Sequence, residues 1–265
     1  MSAPRLPEYT IQFQSKCEAV PEPLVTVVIP LFNYAHYVLE TLESVAAQTL
    51  ERVDLVVVND CSTDNSSEVA KRWLTDHVKR FRKVLLAEHS INSDLAATRN
   101  TGFSLAETTF VFPLDADNLL YSTCLEKLAR CLHSSHAAFA YCILERFSAP
   151  HDTMNPPYLM GLHQWKPDEF WKENRIDAMV LLRRHIWEQV GGYSMNMPCH
   201  GWEDYDLWFK IARAGGRGIH LPQILARYRV HGESMLHTTT NKSEKLELLL
   251  THLRKTYPEF YLGAD

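Results

Sequence analysis

The chain has 265 residues, of which 46% are hydrophobic and 22% are charged, and its formal net charge at pH 7 is −5. A chain of this length and hydrophobic content buries one large core, which excludes an intrinsically disordered protein. Charges of both signs are interspersed, and the net negative charge gives no support for a nucleic-acid partner held through its phosphates.

The cysteines form no Cys-x-x-Cys pair and lie at no zinc-ligand spacing from the histidines: Cys17, Cys61, Cys124, Cys131, Cys142 and Cys199. This pattern predicts reduced thiols and a cytoplasmic chain. The N-terminus lacks a charged start followed by an apolar run, and the most apolar later run, residues 137–144, is far too short to span a bilayer. We therefore expect a soluble chain, or one attached to a membrane peripherally.

Residues 1–23 contain four of the 13 prolines and show no clear periodicity, which predicts an arm on the surface of the fold. After this arm, apolar runs rich in β-branched residues alternate with segments of helical periodicity. The predicted strands comprise residues 25–30, 54–58, 83–87 and 109–114, and the predicted helices comprise residues 37–50, 65–80 and 93–106. Strands that alternate with helices indicate an α/β fold with a Rossmann-like, doubly wound, mostly parallel sheet.

The alternation becomes irregular in the second half of the chain. A predicted helix and a predicted strand precede a stretch rich in Pro, His and aromatic residues: 122–133, 137–144 and 148–171. Helical patterns return at residues 183–190 and 203–214, followed by a predicted strand at 225–230 and an amphipathic helix at 242–255. We therefore expect an appended region and a C-terminal helix beside the main sheet.

Polar residues follow the predicted strands at the point where each strand ends. Asn33 follows the first strand, Asp60 the second, and Asp115-Ala116-Asp117 the fourth. Ligands of open parallel sheets bind beyond these carboxyl ends, so the fold is expected to bring the carboxylates together. A dinucleotide-binding chain would instead carry Gly-x-Gly-x-x-Gly after the first strand, where this chain has Pro30-Leu31-Phe32-Asn33.

The Asp115-Ala116-Asp117 triplet predicts a site for a divalent cation. Two aspartates one residue apart at an extended strand end point to the same side, which suits Mg²⁺ or Mn²⁺. Such a cation bridges nucleotide phosphates and offsets the charge of a leaving diphosphate. A turn or a helix cap explains an isolated Asp-x-Asp triplet equally well, but the position at the ligand-binding edge of the sheet favours the metal.

Seven motifs occur in one order along residues 24–235: Val27-Val28-Ile29-Pro30 with Asn33, Asn59-Asp60-x-Ser62-Thr63-Asp64, Arg99-Asn100-x-Gly102, Asp115-x-Asp117, Gly191-Gly192-Tyr193, Trp202-Glu203-Asp204-x-Asp206-Leu207-Trp208, and Tyr228-Arg229-x-His231. In these motifs the chain resembles the family 2 glycosyltransferases, a large inverting group with the GT-A fold. The resemblance implies transfer of a sugar from a nucleotide-diphosphate sugar to an acceptor hydroxyl, with Mn²⁺ or Mg²⁺ as cofactor. Asn59 departs from the family pattern, because many members carry an aspartate there.

The resemblance implies a nucleotide-binding set: Pro30, Phe32, Asn33, Asp60, Arg99, Asp115 and Ala116. Phe32 and the backbone near Pro30 would flank the base, and Asp60 would hydrogen-bond it. Asp117 is implied as the direct metal ligand, and His231 as a ligand of the metal or of the diphosphate. Three local alternatives stay open at this stage: Phe32 as a core residue, Arg99 paired with Glu107 or another surface acid, and Asp64 as a cap of the helix that follows it.

The catalytic base is expected at the start of the predicted helix 203–214. An inverting transfer needs one carboxylate to accept the proton of the acceptor hydroxyl. The resemblance implies Asp204 as this base, beside Glu203, and we expect the helix dipole to keep Asp204 ionised at neutral pH. The same acidic residues also suit a plain helix N-terminus. Trp202 suits an acceptor platform and a packing position equally.

With the resemblance, the chain divides into four regions: an N-terminal arm (1–23), a nucleotide-sugar-binding half (24–120), an acceptor-binding and catalytic-base half (121–235) and a C-terminal helical extension (236–265). Family frequency favours UDP as the nucleotide, with GDP and dTDP as alternatives. The expected acceptor is a growing polysaccharide, a lipid-linked sugar or a small molecule. Trp165 and Trp171 are candidates for stacking against a sugar ring.

Two other functions fit a nucleotide-binding α/β sheet. A sugar-nucleotide pyrophosphorylase requires a glycine-rich loop with basic residues after the first strand, and Phe32-Asn33-Tyr34 offers neither. A non-catalytic binding module would keep the fold without the chemistry. The joint presence of Asp117, Asp204 and His231 argues against the module.

Overall fold

A computed structural model describes residues 4, 6–17, 24–148, 158–170, 172–232 and 243–261. The strands within these ranges are β1 Tyr9–Lys16, β2 Val25–Leu31, β3 Val53–Asn59, β4 Lys83–His89, β5 Phe110–Pro113, β6 Leu119–Leu120, β7 Phe139–Ser148, β8 Leu159–Met160, β9 Val180–Arg183 and β10 Gly218–Val230. The helices are α1 Val38–Ala46, α2 Ser66–Asp76, α3 Asp94–Leu105, α4 Cys124–His133, α5 Arg184–Gln189, α6 Glu203–Arg213 and α7 Ser243–Thr256. None of these helices is long and apolar enough to cross a membrane.

The strands join one mixed sheet in the order β1-β4-β3-β2-β5-β9-β7-β10-β6, and β8 pairs with β7. β4, β3, β2 and β5 run parallel to one another. β9 lies antiparallel between β5 and β7, and β7 is again parallel to β10. The predicted α/β fold with a largely parallel sheet is therefore confirmed.

Alternate residues of β2 face two different cores. Val25, Val27 and Ile29 pack in one core with residues of α1, α2 and α4. Val28 packs in the other core with residues of α3, α6 and α7. Because the side chains of a strand alternate between its faces, helices on both sides bury every residue of β2. This two-sided burial accounts for the uninterrupted apolar run that predicted the strand.

Several parts of the sheet differ from the sequence-based expectation. The short strands β6 and β8 were not predicted, and β10 begins at Gly218 instead of residue 225. The predicted surface arm contains β1, which pairs antiparallel with β4 at the edge of the sheet. The sequence carries the apolar alternation of a strand at Tyr9, Ile11 and Phe13, but this run is short and follows Pro4 and Pro7, and the strand was missed. β9 was also not predicted, because its four residues, Val180–Arg183, are a short apolar run directly before a helix.

Helix α3 lies unusually close to β2 at Gly102. A Cβ atom added there would overlap Val28 Cγ1 and would contact Val58 Cγ2 at 3.4 Å. Only a residue without a side chain permits this approach, which accounts for the glycine in the Arg99-Asn100-x-Gly102 motif. The approach also fixes the position of Arg99, one turn earlier on the same helix.

We expect Gly102→Ala to lower the free energy of unfolding by about 1–3 kcal/mol, because the added methyl group overpacks the interface between α3 and β2. Denaturant unfolding measures this change. Gly232→Ala is the matched control, since no atom of the described residues lies within 4 Å of an added Cβ at that position. Equal unfolding midpoints for the two variants would contradict the close packing.

Candidate active site

A cavity of about 770 Å³ opens beyond the carboxyl ends of β2, β3 and β5. Volumes of this size are typical of small-molecule sites. Ten of the predicted site residues line it: Pro30, Phe32, Asp60, Arg99, Asp115, Ala116, Asp117, Trp202, Glu203 and Asp204. Of the described residues predicted for the site, Asn33 and His231 are not in its lining. The sheet thus brings together side chains that are up to about 170 positions apart in the chain.

Asp60 and Phe32 form one end of the cavity. Asp60 is held by its backbone N–H, which donates to the Leu31 carbonyl at 2.8 Å, and its carboxylate is buried. Phe32 is 41% exposed, so the alternative that it belongs to the core is wrong. An aromatic face and a buried carboxylate at the same end of a cavity suit a planar heterocycle that carries an N–H group.

Asn33 connects the loops that follow β2 and β3. Its backbone has a positive φ of 56°, and its Oδ1 accepts hydrogen bonds from the N–H groups of Thr63 at 2.8 Å and Asp64 at 3.3 Å. The side chain therefore braces the rim, whereas the sequence placed it in direct contact with nucleotide. Asp64 Oδ1 accepts the N–H of Ser66, the first residue of α2, at 3.0 Å, so Asp64 contacts the start of this helix from the position before the N-cap residue Asn65.

The Asp115-Ala116-Asp117 turn is fastened to β10 by Arg229. Arg229 Nε donates to the Asp117 carbonyl at 2.8 Å, and its backbone N–H donates to Asn118 Oδ1 at 2.9 Å. The other end of the guanidinium pairs with Glu40 of α1 at 2.6 Å. The Tyr228-Arg229-x-His231 motif thus has a structural basis: its arginine fixes the turn that carries the two aspartates.

His231 lies against Asp117, with Nε2 3.0 Å from Asp117 Oδ2. Its Nδ1 is buried and has no hydrogen-bond partner among the described residues. The rings of Tyr34 and Tyr37 enclose the imidazole at 5.8 Å and 5.0 Å. Burial raises the pKa of Asp117; the hydrogen bond to His231 acts in the opposite direction.

The Asp117–His231 pair fits a divalent cation. In the described part of the chain, no group of three His, Cys, Asp or Glu side chains is placed to hold a metal. The 3.0 Å between Asp117 Oδ2 and His231 Nε2 is a hydrogen-bond distance, and it also equals the separation of two ligands at right angles that each lie about 2.1 Å from one octahedral cation. A carboxylate with an imidazole suits Mn²⁺ better than Mg²⁺, which prefers oxygen ligands alone.

Arg99 joins the two acidic parts of the cavity. Its Nη2 lies 2.6 Å from Asp115 Oδ1, and its Nη1 lies 2.5 Å from Glu203 Oε1. Burial alone would lower the pKa of Arg99, but the two carboxylates outweigh burial and raise it above the usual value. The alternative pairing with Glu107 is wrong, because Glu107 binds Lys83 at 2.9 Å and Lys16 at 3.0 Å.

Asp204 lies in the first turn of α6 with both carboxylate oxygens engaged. Oδ1 accepts the backbone N–H of Tyr205 at 2.7 Å, and Oδ2 accepts Nδ2 of Asn174 at 3.1 Å. Burial raises the pKa of Asp204 to about 8, with further contributions from the charges of Glu203 and Asp177. The expectation that the helix dipole keeps Asp204 fully ionised at neutral pH is therefore wrong, because burial and like charges outweigh the dipole.

Asp177 is a cavity residue that the motifs did not indicate. Its Oδ1 accepts the N–H of Met179 at 2.9 Å, and burial raises its pKa to about 6, assisted by the charge of Asp115. It lies in the irregular stretch before β9, where no periodicity identified a strand end. Because β9 runs antiparallel to β5, its first residue lies at the same end of the sheet as the last residue of β5. Recognising β9 from the run Val180–Arg183 would therefore have placed Asp177 near the cavity.

The predicted aromatic platforms have different surroundings. Trp202 lines the cavity, and its buried Nε1 has no hydrogen-bond partner among the described residues. Trp165 packs edge-to-face on Phe139 at 5.0 Å and on Phe170 at 4.6 Å, which are core contacts. Trp171 lies outside the described residues. Trp202 is thus the described tryptophan best placed to meet a ligand.

A family model described as "Glycosyl transferase family 2" matches residues 26–197. Among curated proteins, the chain is 24% identical over 243 residues to an uncharacterized glycosyltransferase of Rickettsia typhi, and the match covers 86% of this chain and 70% of that protein. The chain spans only 38% and 37% of the lengths of two further curated relatives.

Two solved structures share the fold. The chain superposes with a TM-score of 0.69 on residues 1–349 of TarS from S. aureus in complex with UDP-GlcNAc, at 16% identity, covering 91% of this chain and 67% of that one. It superposes with a TM-score of 0.64 on a mannosyltransferase from Pyrobaculum calidifontis in complex with GDP-Man and Mn²⁺, at 24% identity, covering 81% and 59%. These likenesses confirm the predicted GT-A fold.

Proposed function

Because the chain belongs to glycosyl transferase family 2, we propose that it is an inverting glycosyltransferase that moves a sugar from a nucleotide-diphosphate sugar to an acceptor hydroxyl. One observation carries the proposal: a single cavity holds both an Asp115/Asp117 turn and a separate buried carboxylate, Asp204. Arg99 ties the turn to the helix that carries Asp204, so a donor bound at the turn faces the base.

The nucleotide of the proposed donor lies at the end of the cavity that contains Asp60. A base packs on Phe32 and hydrogen-bonds Asp60, and UDP is the proposed nucleotide. TarS in the fold comparison is a UDP-GlcNAc complex, and the mannosyltransferase holds GDP-Man with Mn²⁺. In this chain Asp117 and His231 would hold Mn²⁺ or Mg²⁺, which when bound supplies positive charge against the leaving diphosphate.

The proposed transfer is a single displacement at the anomeric carbon. The acceptor oxygen forms a bond to that carbon on the face opposite the diphosphate. The bond from the anomeric carbon to the diphosphate oxygen breaks, and its electron pair stays on the diphosphate. Asp204 takes the acceptor's proton, while Glu203 and Asp115 hold Arg99 between the two halves of the site.

A base whose pKa lies near 8 predicts a characteristic pH dependence. Asp204 accepts a proton only when ionised, so we expect kcat/KM to rise with pH to a plateau, with the inflection near pH 8. Asp177→Asn removes a negative charge that helps to raise the pKa of Asp204, and the inflection should then move to lower pH. Initial rates from pH 5.5 to 9.5 measure both profiles.

Asp76→Asn, which removes an exposed carboxylate at the end of α2, is the matched control and should leave the inflection in place. An Asp177→Asn profile with an unchanged inflection, or one shifted to higher pH, would contradict the assignment of the inflection to Asp204.

The acceptor side of the proposal centres on Trp202. Its indole ring borders the cavity beside Asp204, and its buried N–H has no hydrogen-bond partner among the described residues. Aromatic faces with a polar edge suit the stacking of sugar rings. We therefore assign a carbohydrate acceptor, as in polysaccharide or glycoconjugate synthesis. A cytoplasmic location, peripheral to a membrane where the acceptor is lipid-linked, belongs to the same proposal.

A panel of nucleotide sugars tests the function. The purified chain is incubated with Mn²⁺ and UDP-, GDP- or dTDP-sugars, and release of nucleoside diphosphate is followed. We expect slow release with at least one donor and loss of release on chelation. A pyrophosphorylase would instead form nucleoside triphosphate from nucleotide sugar and pyrophosphate. No release and no metal-dependent thermal shift with any donor would contradict the enzyme and favour a non-catalytic module.

A further inference from the structure

A chain of three buried polar side chains leads from α3 to the cavity. His89, the last residue of β4, places Nδ1 2.6 Å from Asp60 Oδ1 and Nε2 2.9 Å from Thr101 Oγ1. All three residues are at most 3% exposed. Burying an imidazole against a carboxylate costs desolvation energy, and well-packed apolar side chains would fill the same space without that cost. We therefore expect this network to serve a function at Asp60, the member that lines the cavity.

The two oxygens of Asp60 have different surroundings. Oδ1 is held by two donors, His89 Nδ1 at 2.6 Å and the backbone N–H of Ser93 at 2.9 Å. Oδ2 accepts no hydrogen bond from any described residue, although Asp60 lines the cavity. With Oδ1 occupied and the carboxylate fixed on two sides, one oxygen alone is offered to a ligand.

We propose that His89 is a positioning residue that fixes Asp60 as a single acceptor and thereby selects a nucleotide base with one imide N–H, as in uracil or thymine. This inference rests on the proposed function. Uracil offers N3–H to Asp60 Oδ2. Cytosine presents a lone pair at N3, which a carboxylate repels, and guanine presents two adjacent N–H groups that need both oxygens.

The selection works because the fold resists rotation of the carboxylate. Turning Asp60 to offer both oxygens to guanine would break the hydrogen bonds to His89 and Ser93 inside the protein, where lost hydrogen bonds are not replaced by water. Phe32, exposed at the same end, contributes stacking to any base and does not discriminate among them.

Binding of UDP, CDP and GDP to the full chain, measured by calorimetry with Mn²⁺ present, tests the proposal. We expect UDP to bind most tightly. His89→Leu should weaken UDP by about 10- to 100-fold, because a hydrogen bond to a charged group loses its fixed geometry, whereas CDP, which gains nothing from Asp60, should change by less than about threefold. A merely structural defect would weaken both nucleotides together.

Thr26→Val is the matched control, because it removes a buried hydroxyl pair with Thr108 at the opposite end of β2. It should leave the ratio of UDP to CDP affinities unchanged. A second pair of variants covers the case in which His89→Leu does not fold: His89→Asn keeps an N–H near the position of Nδ1, whereas His89→Gln places its amide near Nε2. The first should retain the preference for UDP and the second should lose it.

An unchanged ratio of UDP to CDP affinities in His89→Leu, or equal ratios in His89→Asn and His89→Gln, would overturn the inference while leaving the proposed function in place. Failure of the unsubstituted chain to bind any of the three nucleotides would overturn the proposed function as well.

Discussion

Asp204→Asn is expected to lower kcat by about 10²- to 10⁴-fold, the usual contribution of a positioned general base. Asparagine has the shape of aspartate and can keep a contact with the N–H of Tyr205, but its amide cannot accept the acceptor's proton. Affinity for the nucleoside diphosphate should stay within about threefold, because Asp204 lies on the acceptor side of Arg99. Steady-state rates and calorimetry on the same preparation separate the two quantities.

The same variant should not lose stability. The folded chain holds the Asp204 proton more tightly than the unfolded chain, in which the pKa is near 3.8, so ionisation of Asp204 lowers the free energy of unfolding as the pH rises toward about 8. Asparagine removes this penalty, and we expect that gain to outweigh the loss of the hydrogen bond that Asp204 Oδ2 accepts from Asn174. At pH 8 the melting temperature should therefore equal or exceed that of the parent. If Asp204→Asn loses activity while its melting temperature is not lowered, the loss is due to the missing base and not to unfolding. Transfer at near the parental rate would show that Asp204 is not the base.

Asp117→Ala is expected to abolish activation by Mn²⁺ and to lower transfer by about 10²- to 10³-fold, because it removes one of the two side chains that fit the cation and leaves His231 alone. UDP should lose the part of its affinity that depends on Mn²⁺, while its metal-free affinity should persist through Phe32 and Asp60. Mn²⁺ titrations of activity, and electron paramagnetic resonance of free Mn²⁺ in the presence of UDP, measure these effects.

Asp76→Ala provides the control for removal of a carboxylate, since it lies on the exposed end of α2. Its Mn²⁺ titration should match that of the parent chain. If Asp117→Ala keeps the parental dependence on Mn²⁺, the cation is held elsewhere and the assignment of Asp117 and His231 as its ligands is wrong.

The position of the site was predictable because it depends on local features. Apolar runs located β2, β3 and β5, and strand ends in a parallel sheet converge, so Asp60, Asp115 and Asp117 were expected to meet. The start of α6 was likewise recognisable from the acidic residues that precede an apolar helical pattern. Each of these expectations depends on residues within one turn or one strand.

The electrostatics of the site was not predictable, because it depends on contacts between distant segments. Arg99 pairs with Glu203, 104 positions later, and neither helix alone indicates that contact. The raised pKa of Asp204 comes from burial, from the charge of Glu203 and from the charge of Asp177 in a distant segment, whereas the helix dipole that suggested ionisation is a local effect. The partner of His89 was equally hidden, since β3 and β4 meet only in the folded sheet.

A crystal structure of the chain with UDP and Mn²⁺ tests the central claim most directly. The claim predicts the uracil ring against Phe32 with N3 near Asp60 Oδ2, the cation bound by Asp117 and His231, and the diphosphate between that cation and Arg99. A nucleotide bound outside this cavity, or a cation bound by neither Asp117 nor His231, would contradict it.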